Sequence, residues 1–285
     1  MRSSPAVVGT AATYPAVSSA VEVSIALDPI GPPRLLRRPG RGTIRTMYDR
    51  DLAEFHDAHA GELAREGAST MVAHLHAAGW TGGTVADLGC GGGIASRVLV
   101  DAGFDVVAVD PSPAMLAMTR DRVPEATTVE ATMASVALPG RLVGIVALGE
   151  VLAYDLTIDL DETLEAFHAA LRPGGVVLLD VPGPGRHGEE EESTLVEDGG
   201  GVFLSVRTTS ERFRTTRRIT LFTRNGRNGN YRRHDETHEL RLYPAQDVRT
   251  GLARAGFVAV RPVERYGSCA VEFGEHWPAF VAARP

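Results

Sequence analysis

Short apolar runs alternate with amphipathic stretches through the middle of this chain. Val85–Leu88, Asp105–Val109, Thr127–Glu130, Leu142–Leu148 and Val176–Val181 read as strands. Leu142–Leu148 is apolar throughout, as a central parallel strand is. Between the strands, helical spacing predicts helices over Ile94–Ala102, Pro113–Arg122 and Asp161–Leu171. Ser112 is placed to cap the second of these, with Pro113 at its first position. Strands and helices in strict alternation predict an α/β fold around a mainly parallel, doubly wound sheet.

The flanks differ. Helical periodicity begins near Thr46, with Met47, Leu52, Phe55 and His59, and a second helix follows over Ala68–Ala78, ended by Gly79. Beyond Gly183 the chain turns loop-like and includes the acidic run Glu189–Glu192, read as a surface loop. Val202–Thr208, Thr216–Arg224 and Tyr231–Tyr243 then read as strands, the last two joined by a glycine- and asparagine-rich turn over Asn225–Asn230. Alternation along Tyr231–Tyr243 sets His234, Glu236 and His238 on one face with Leu240 and Leu242. Residues 183–243 are therefore expected to form an antiparallel insertion over the parallel sheet. Phe203, Ile219, Leu221, Leu240 and Leu242 are its expected apolar roof. Helix Ala245–Ala255 and strands Phe257–Val260 and Cys269–Phe273 close the chain.

Composition narrows the class. A chain of 285 residues can bury one sizeable core, so residues 43–285 are read as one α/β domain. Residues 1–42, rich in Pro, Ser, Gly and Arg, are read as a disordered extension. The net charge of −7 argues against a nucleic-acid partner, and no apolar run approaches the length of a membrane span. Met1–Ala20 lacks the compact apolar region of a secretory signal, and Cys90 and Cys269 are too few for a disulfide framework, which points to the cytoplasm. A monomer or homodimer is expected.

The chemistry concentrates after the first strand. Asp87, Gly89, Gly91 and Gly93 alternate with other residues, and the next helix starts directly behind them. Glycines there let the backbone bend and come close to a ligand, while the helix start offers unpaired N–H groups. The dinucleotide pattern Gly-x-Gly-x-x-Gly fails: its third position falls on Ile94 or Ser96. Asp110 ends the second strand about 20 residues later, where Rossmann-like folds hold ribose hydroxyls.

The acid-x-Gly-x-Gly-x-Gly register, the Asp110-Pro111-Ser112-Pro113 step and the passage Leu171-Arg172-Pro173-Gly174-Gly175 before a strand resemble the class I S-adenosylmethionine-dependent methyltransferases of small-molecule type. The resemblance covers roughly residues 45–182 and 240–275. It implies a Rossmann-like doubly wound, mainly parallel seven-stranded sheet, with S-adenosyl-L-methionine as cofactor. It assigns cofactor contacts to Asp87, Gly89, Cys90, Gly91, Gly93, Asp110, Pro111, Thr132, Met133 and Leu148. The piece Tyr48–Phe55 resembles the family's lid helix, which puts Tyr48 at the acceptor; Glu150 and Tyr154 follow the strand Leu142–Leu148, whose end opens the crevice, and are expected there too. Methyl transfer from a sulfonium needs orientation and exclusion of water, and needs a base only where the acceptor must lose a proton. Glu150 and His238 are the candidates for that base. No further ligand accompanies His234, Glu236 and His238, so a metal is not expected. Two other readings share the loop: a nicotinamide-dependent oxidoreductase, and a non-catalytic sensor of S-adenosylmethionine.

Overall fold

The computed structural model describes residues 48, 50–59, 61–184, 190–196, 201–225 and 230–285. The expected extension 1–42 and most of the turn Asn225–Asn230 lie outside the described residues. Helices α1 (Arg50–His59) and α2 (Gly61–Ala77) lead into β1 (Thr84–Leu88), α3 (Ile94–Asp101), β2 (Asp105–Asp110), α4 (Pro113–Arg122) and β3 (Thr127–Glu130). There follow β4 (Leu142–Ala147), α5 (Val151–Tyr154), α6 (Leu160–Ala170) and β5 (Leu171–Asp180). Next come β6 (Glu190–Val196), β7 (Val202–Glu211), β8 (Arg214–Asn225) and β9 (Asn230–Arg241). The chain ends with α7 (Ala245–Arg254), β10 (Val258–Val263) and β11 (Ala279–Ala283).

Seven strands form one sheet in the order β10-β11-β5-β4-β1-β2-β3, and β1 to β5 run parallel. β11 lies antiparallel between β5 and β10. Successive side chains of β1 point to opposite faces: Ala86 and Leu88 join the core beneath α6 and α7, while Val85 joins the core beneath α2 and α3. This is the expected doubly wound sheet, buried on both faces. The end of the sheet differs from expectation. The final strand is Ala279–Ala283, not Cys269–Phe273: the slot beside β5 is buried on both sides and takes a continuous apolar run. Cys269 and Phe273 instead pack with Tyr266 and Trp277 over the α2 side of the core.

The insertion is a four-stranded antiparallel sheet, β6-β7-β8-β9. Glu190–Val196, which lies wholly inside the stretch expected to be loop, is instead its edge strand. Acidic residues suit such an edge because they discourage pairing with another chain. Leu204, Ile219 and Leu221 share one face and pack on Leu52 and Phe55 of α1, forming a small core of their own. The expected roof is corrected accordingly. Ile219 and Leu221 are covered by α1, Leu240 belongs to the main core, and Phe203 lies on the opposite face against Phe222.

Candidate active site

In an open parallel sheet the crevice opens where neighbouring strands send their connections to opposite faces. Here β1 lies between β2 and β4, and the turns after β1 and β4 flank that point. A cavity of about 520 Å³ opens there. Its walls come from the glycine loop, the ends of β2 to β4, the start of α5, helix α1 and strand β9.

The glycine loop takes its shape from three left-handed residues, Gly89, Gly91 and Gly93 at φ of 68°, 53° and 79°. A Cβ on Gly89 would meet Val151 Cγ1 at 2.2 Å, so only glycine fits where α5 crosses the loop. Gly91 differs, because its nearest neighbour would be Met115 Sδ at 3.9 Å. Its open side belongs to the cavity. Gly93 lies against Thr119 and starts α3 instead of lining the cavity.

Asp110 stands in the cavity wall with its carboxylate fixed from behind. Oδ2 accepts the Gly91 N–H at 3.0 Å and Oδ1 accepts the Ser112 N–H at 2.8 Å. Burial pushes its pKa up and the two amides oppose that rise. Asp87, expected to touch the cofactor, sits one layer below. It is 2% exposed and accepts a 2.6 Å hydrogen bond from Ser96 Oγ, which ties β1 to α3. Burial pushes its pKa up to about 6, against the Ser96 hydrogen bond. Gly89, Cys90, Pro111, Thr132, Met133 and Leu148 all line the cavity. The buried Cys90 thiol is pushed well above its usual pKa by desolvation and stays neutral.

At the other end two of the three expected acceptor residues come together. The Tyr48 and Tyr154 hydroxyls are 3.3 Å apart, and both rings line the cavity. The His238 ring packs behind them, its centroid 5.0 Å from that of Tyr48 and 5.6 Å from that of Tyr154. Glu150 was expected to line the site and does not. It caps α5 with a left-handed backbone (φ 66°), and its Oε2 reaches Arg217 Nη2 at 2.9 Å. Arg217 Nη1 in turn approaches the Tyr154 hydroxyl at 3.5 Å. His234 and His238 face different carboxylates, Asp51 and Glu236 respectively.

Sequence reasoning missed the roles of five contributors. Arg217 and Glu236 come from β8 and β9, where only strand pairing brings them to the tyrosines. Asp57 forms a two-point ion pair with Arg122, both contacts at 2.7 Å, and Arg122 also donates to the Gly92 carbonyl. Together they fasten α1 to α4 and the glycine loop. Asp180 accepts the Gly149 and Glu150 amides at 2.9 and 2.7 Å, the Tyr266 hydroxyl at 3.1 Å and the Trp277 indole N–H at 2.9 Å. The turn after β4 therefore hangs on one buried carboxylate. An acid ending β5 was visible in the sequence, but its four donors come from three distant segments.

The sequence pattern of the family described as "Methyltransferase domain" matches residues 85–175, from β1 into β5. The chain is 29% identical over 184 residues to the putative methyltransferase YqeM of Bacillus subtilis (strain 168), covering 61% of this chain and 73% of that protein. It is 26% identical over 217 residues to the dTDP-3-amino-3,6-dideoxy-alpha-D-glucopyranose N,N-dimethyltransferase of Streptomyces fradiae, covering 73% and 84%. Its fold matches an S-adenosylmethionine-dependent methyltransferase from Clostridium acetobutylicum ATCC 824 with a TM-score of 0.68 at 19% identity, over 82% of this chain and 97% of that one. The glycine register that excluded a dinucleotide, the carboxylate at the end of β2 and these matches agree: residues 85–175 are a methyltransferase domain, set in a fold shared with solved S-adenosylmethionine-dependent methyltransferases.

Proposed function

We propose that the acceptor is a small, polar, amine-bearing molecule of the amino-sugar kind, methylated at nitrogen between Tyr48, Tyr154 and β9. The observation that carries this reading is the single cavity running from the glycine loop to the tyrosine pair. Cofactor and acceptor can meet in it without crossing solvent. Tyr48, Tyr154, Thr157, Thr237, Asp155 and Glu239 are among the residues that line the cavity. Hydroxyls suit a polyhydroxylated ring, and carboxylates suit an ammonium. The Streptomyces fradiae relative is, by its name, an N,N-dimethyltransferase of an amino sugar.

The residues present fit S-adenosylmethionine. Gly91 leaves an open cradle, and Asp110, held by two amides, faces the cavity where ribose hydroxyls would donate to it. Thr132 and Met133 follow β3 on the side expected for the adenine. When bound, the cofactor supplies an electrophilic methyl on a positive sulfur. The protein's own part is to orient the acceptor and take away its proton. Tyr48 and Tyr154 hold the acceptor nitrogen by their hydroxyls. Arg217, paired with Glu150, steadies Tyr154, and His238, the candidate base, packs behind both rings, so a proton reaches it only by way of a tyrosine hydroxyl. The proposed setting is the cytoplasm, which the two unpaired, buried cysteines support. Among the described residues no helix is long and apolar enough to cross a membrane.

The test is transfer of a labelled methyl to a panel of free amino sugars, aminocyclitols and phenols. The expected result is an N-methylated amino sugar. Tyr48→Phe and Tyr154→Phe should each lower kcat/KM at least about tenfold while leaving affinity for S-adenosylhomocysteine within about twofold. Equal transfer by both variants would move the acceptor elsewhere, and cofactor binding without any turnover would favour the sensor.

A further inference from the structure

We propose that Glu236 is a positioning residue: one of its oxygens holds the Tyr48 peptide over the cavity and fixes the His238 ring beside it. The inference rests on Tyr48 facing the acceptor, as read above, with His238 packed behind its ring.

The starting observation is backbone strain. Tyr48 sits at φ 59°, in the left-handed region that a bulky L residue rarely adopts unless its surroundings impose it. Both ends of its peptide are held. The Tyr48 N–H donates to Glu236 Oε2 at 2.9 Å, and the Tyr48 carbonyl accepts the Ser112 hydroxyl at 2.9 Å. His238 Nε2 lies 2.8 Å from that same Glu236 oxygen. An ionised carboxylate only accepts, so the imidazole presents its Nε2–H there and its ring plane is set. The result is the 5.0 Å contact between the Tyr48 and His238 rings.

The neighbouring charges on this face have other work. Arg217 pairs with Glu150, while Arg232 and His234 engage Asp51. Glu236 serves the two acceptor-side groups.

The arrangement continues to the cofactor end. Ser112, which holds the Tyr48 carbonyl, also donates its amide to Asp110, and Asp110 accepts the Gly91 N–H. A continuous path of hydrogen bonds thus runs from His238 through Glu236, the Tyr48 peptide, Ser112 and Asp110 to the glycine loop. A residue that merely filled space would need no such directionality. Glu236 is the point where the path passes from the insertion to the segment before α1.

The experiment needs no acceptor. Amide hydrogen exchange is followed at Tyr48, and the ring nitrogens of His238 by NMR, in the full chain with saturating S-adenosylhomocysteine. Glu236→Ala removes the acceptor, so Tyr48 exchange should accelerate roughly ten- to a hundredfold, the range of a charge-assisted hydrogen bond. Glu236→Gln keeps a carbonyl oxygen for the Tyr48 N–H, so its exchange should stay within about threefold of wild type. The charge opposite His238 is gone in that variant, so the ring-nitrogen signals should shift. Unchanged Tyr48 exchange in the alanine variant overturns the proposal. If that variant does not fold, unchanged His238 signals in the glutamine variant overturn it. Neither readout depends on the acceptor, so a wrong acceptor assignment shows itself separately in the Tyr48→Phe and Tyr154→Phe kinetics.

Discussion

Trp277 donates its indole N–H to Asp180, 2.9 Å away across the end of the sheet, and so joins the segment before β11 to the turn that shapes the active site. Asp180 is fully buried, and three further donors converge on it. Deleting the carboxylate leaves buried donors without their acceptor, at roughly 1–3 kcal/mol for each that finds no substitute. Asp180→Ala should therefore lose at least about 3 kcal/mol of stability in urea unfolding, and Asp180→Asn distinctly less. A loss below about 1 kcal/mol for alanine would show that the turn is held by other means.

Burial raises the carboxyls of Asp87 and Asp180 to about 6, above their ordinary value of 3.8. Between those values the folded chain binds more protons than the unfolded one, so folding stability falls as pH rises. The contribution of each acid is complete below about pH 4 and lost as pH passes 6. Asp87→Asn keeps an oxygen for the Ser96 hydroxyl and removes the titration. Its stability should fall less than that of the wild type between pH 4 and 7, by an amount on the order of 2 kcal/mol. Urea midpoints at the two pH values decide; parallel pH dependence in both proteins would refute the assignment.

Gly91 faces open cavity, whereas Gly89 is closed off by Val151. Gly91→Val should fill the cradle and abolish measurable binding of S-adenosylhomocysteine in calorimetry. Asp110→Ala should weaken binding by roughly ten- to a hundredfold, the value of one charge-assisted hydrogen bond. Wild-type affinity in the valine variant would place the cofactor elsewhere.

Glu150 and Arg217 form an ion pair whose side chains are only 5% and 16% exposed. Removing one partner of such a pair leaves a buried charge, and removing both does not. Arg217→Met should therefore destabilise more than the double variant Glu150→Gln, Arg217→Met, with a coupling of about 1–3 kcal/mol. Additive losses in a double-mutant cycle would mean that the pair is not energetically linked.

Much of this molecule was legible in its sequence. The apolar runs Val85–Leu88 and Leu142–Leu148 marked buried parallel strands, and the glycine register after Asp87 marked the crevice. Tyr48, Tyr154 and His238 were singled out from separate segments, and the fold brings them into contact. Other features were hidden because they depend on long-range pairing. Nothing local distinguishes Arg217 from the other arginines of β8; its alignment with His238 across the β8–β9 ladder does. Ala279–Ala283 is short and unmarked, and becomes a strand because a slot beside β5 is vacant for it. The left-handed turns at Tyr48 and Glu150 run against residue preference, so their cause lies in distant partners.

The fastening of α1 carries a kinetic consequence. Asp57 binds Arg122 over the glycine loop at one end, and Asp51 binds Arg232, His234 and Thr223 of the insertion at the other. A ten-residue helix clamped at both ends forms a wall of the chamber in which spent cofactor must be exchanged for fresh. Where that exchange requires this helix to move, breaking these contacts is part of every turnover. Loosening the clamp at Asp57 removes two of the contacts that such a movement has to break.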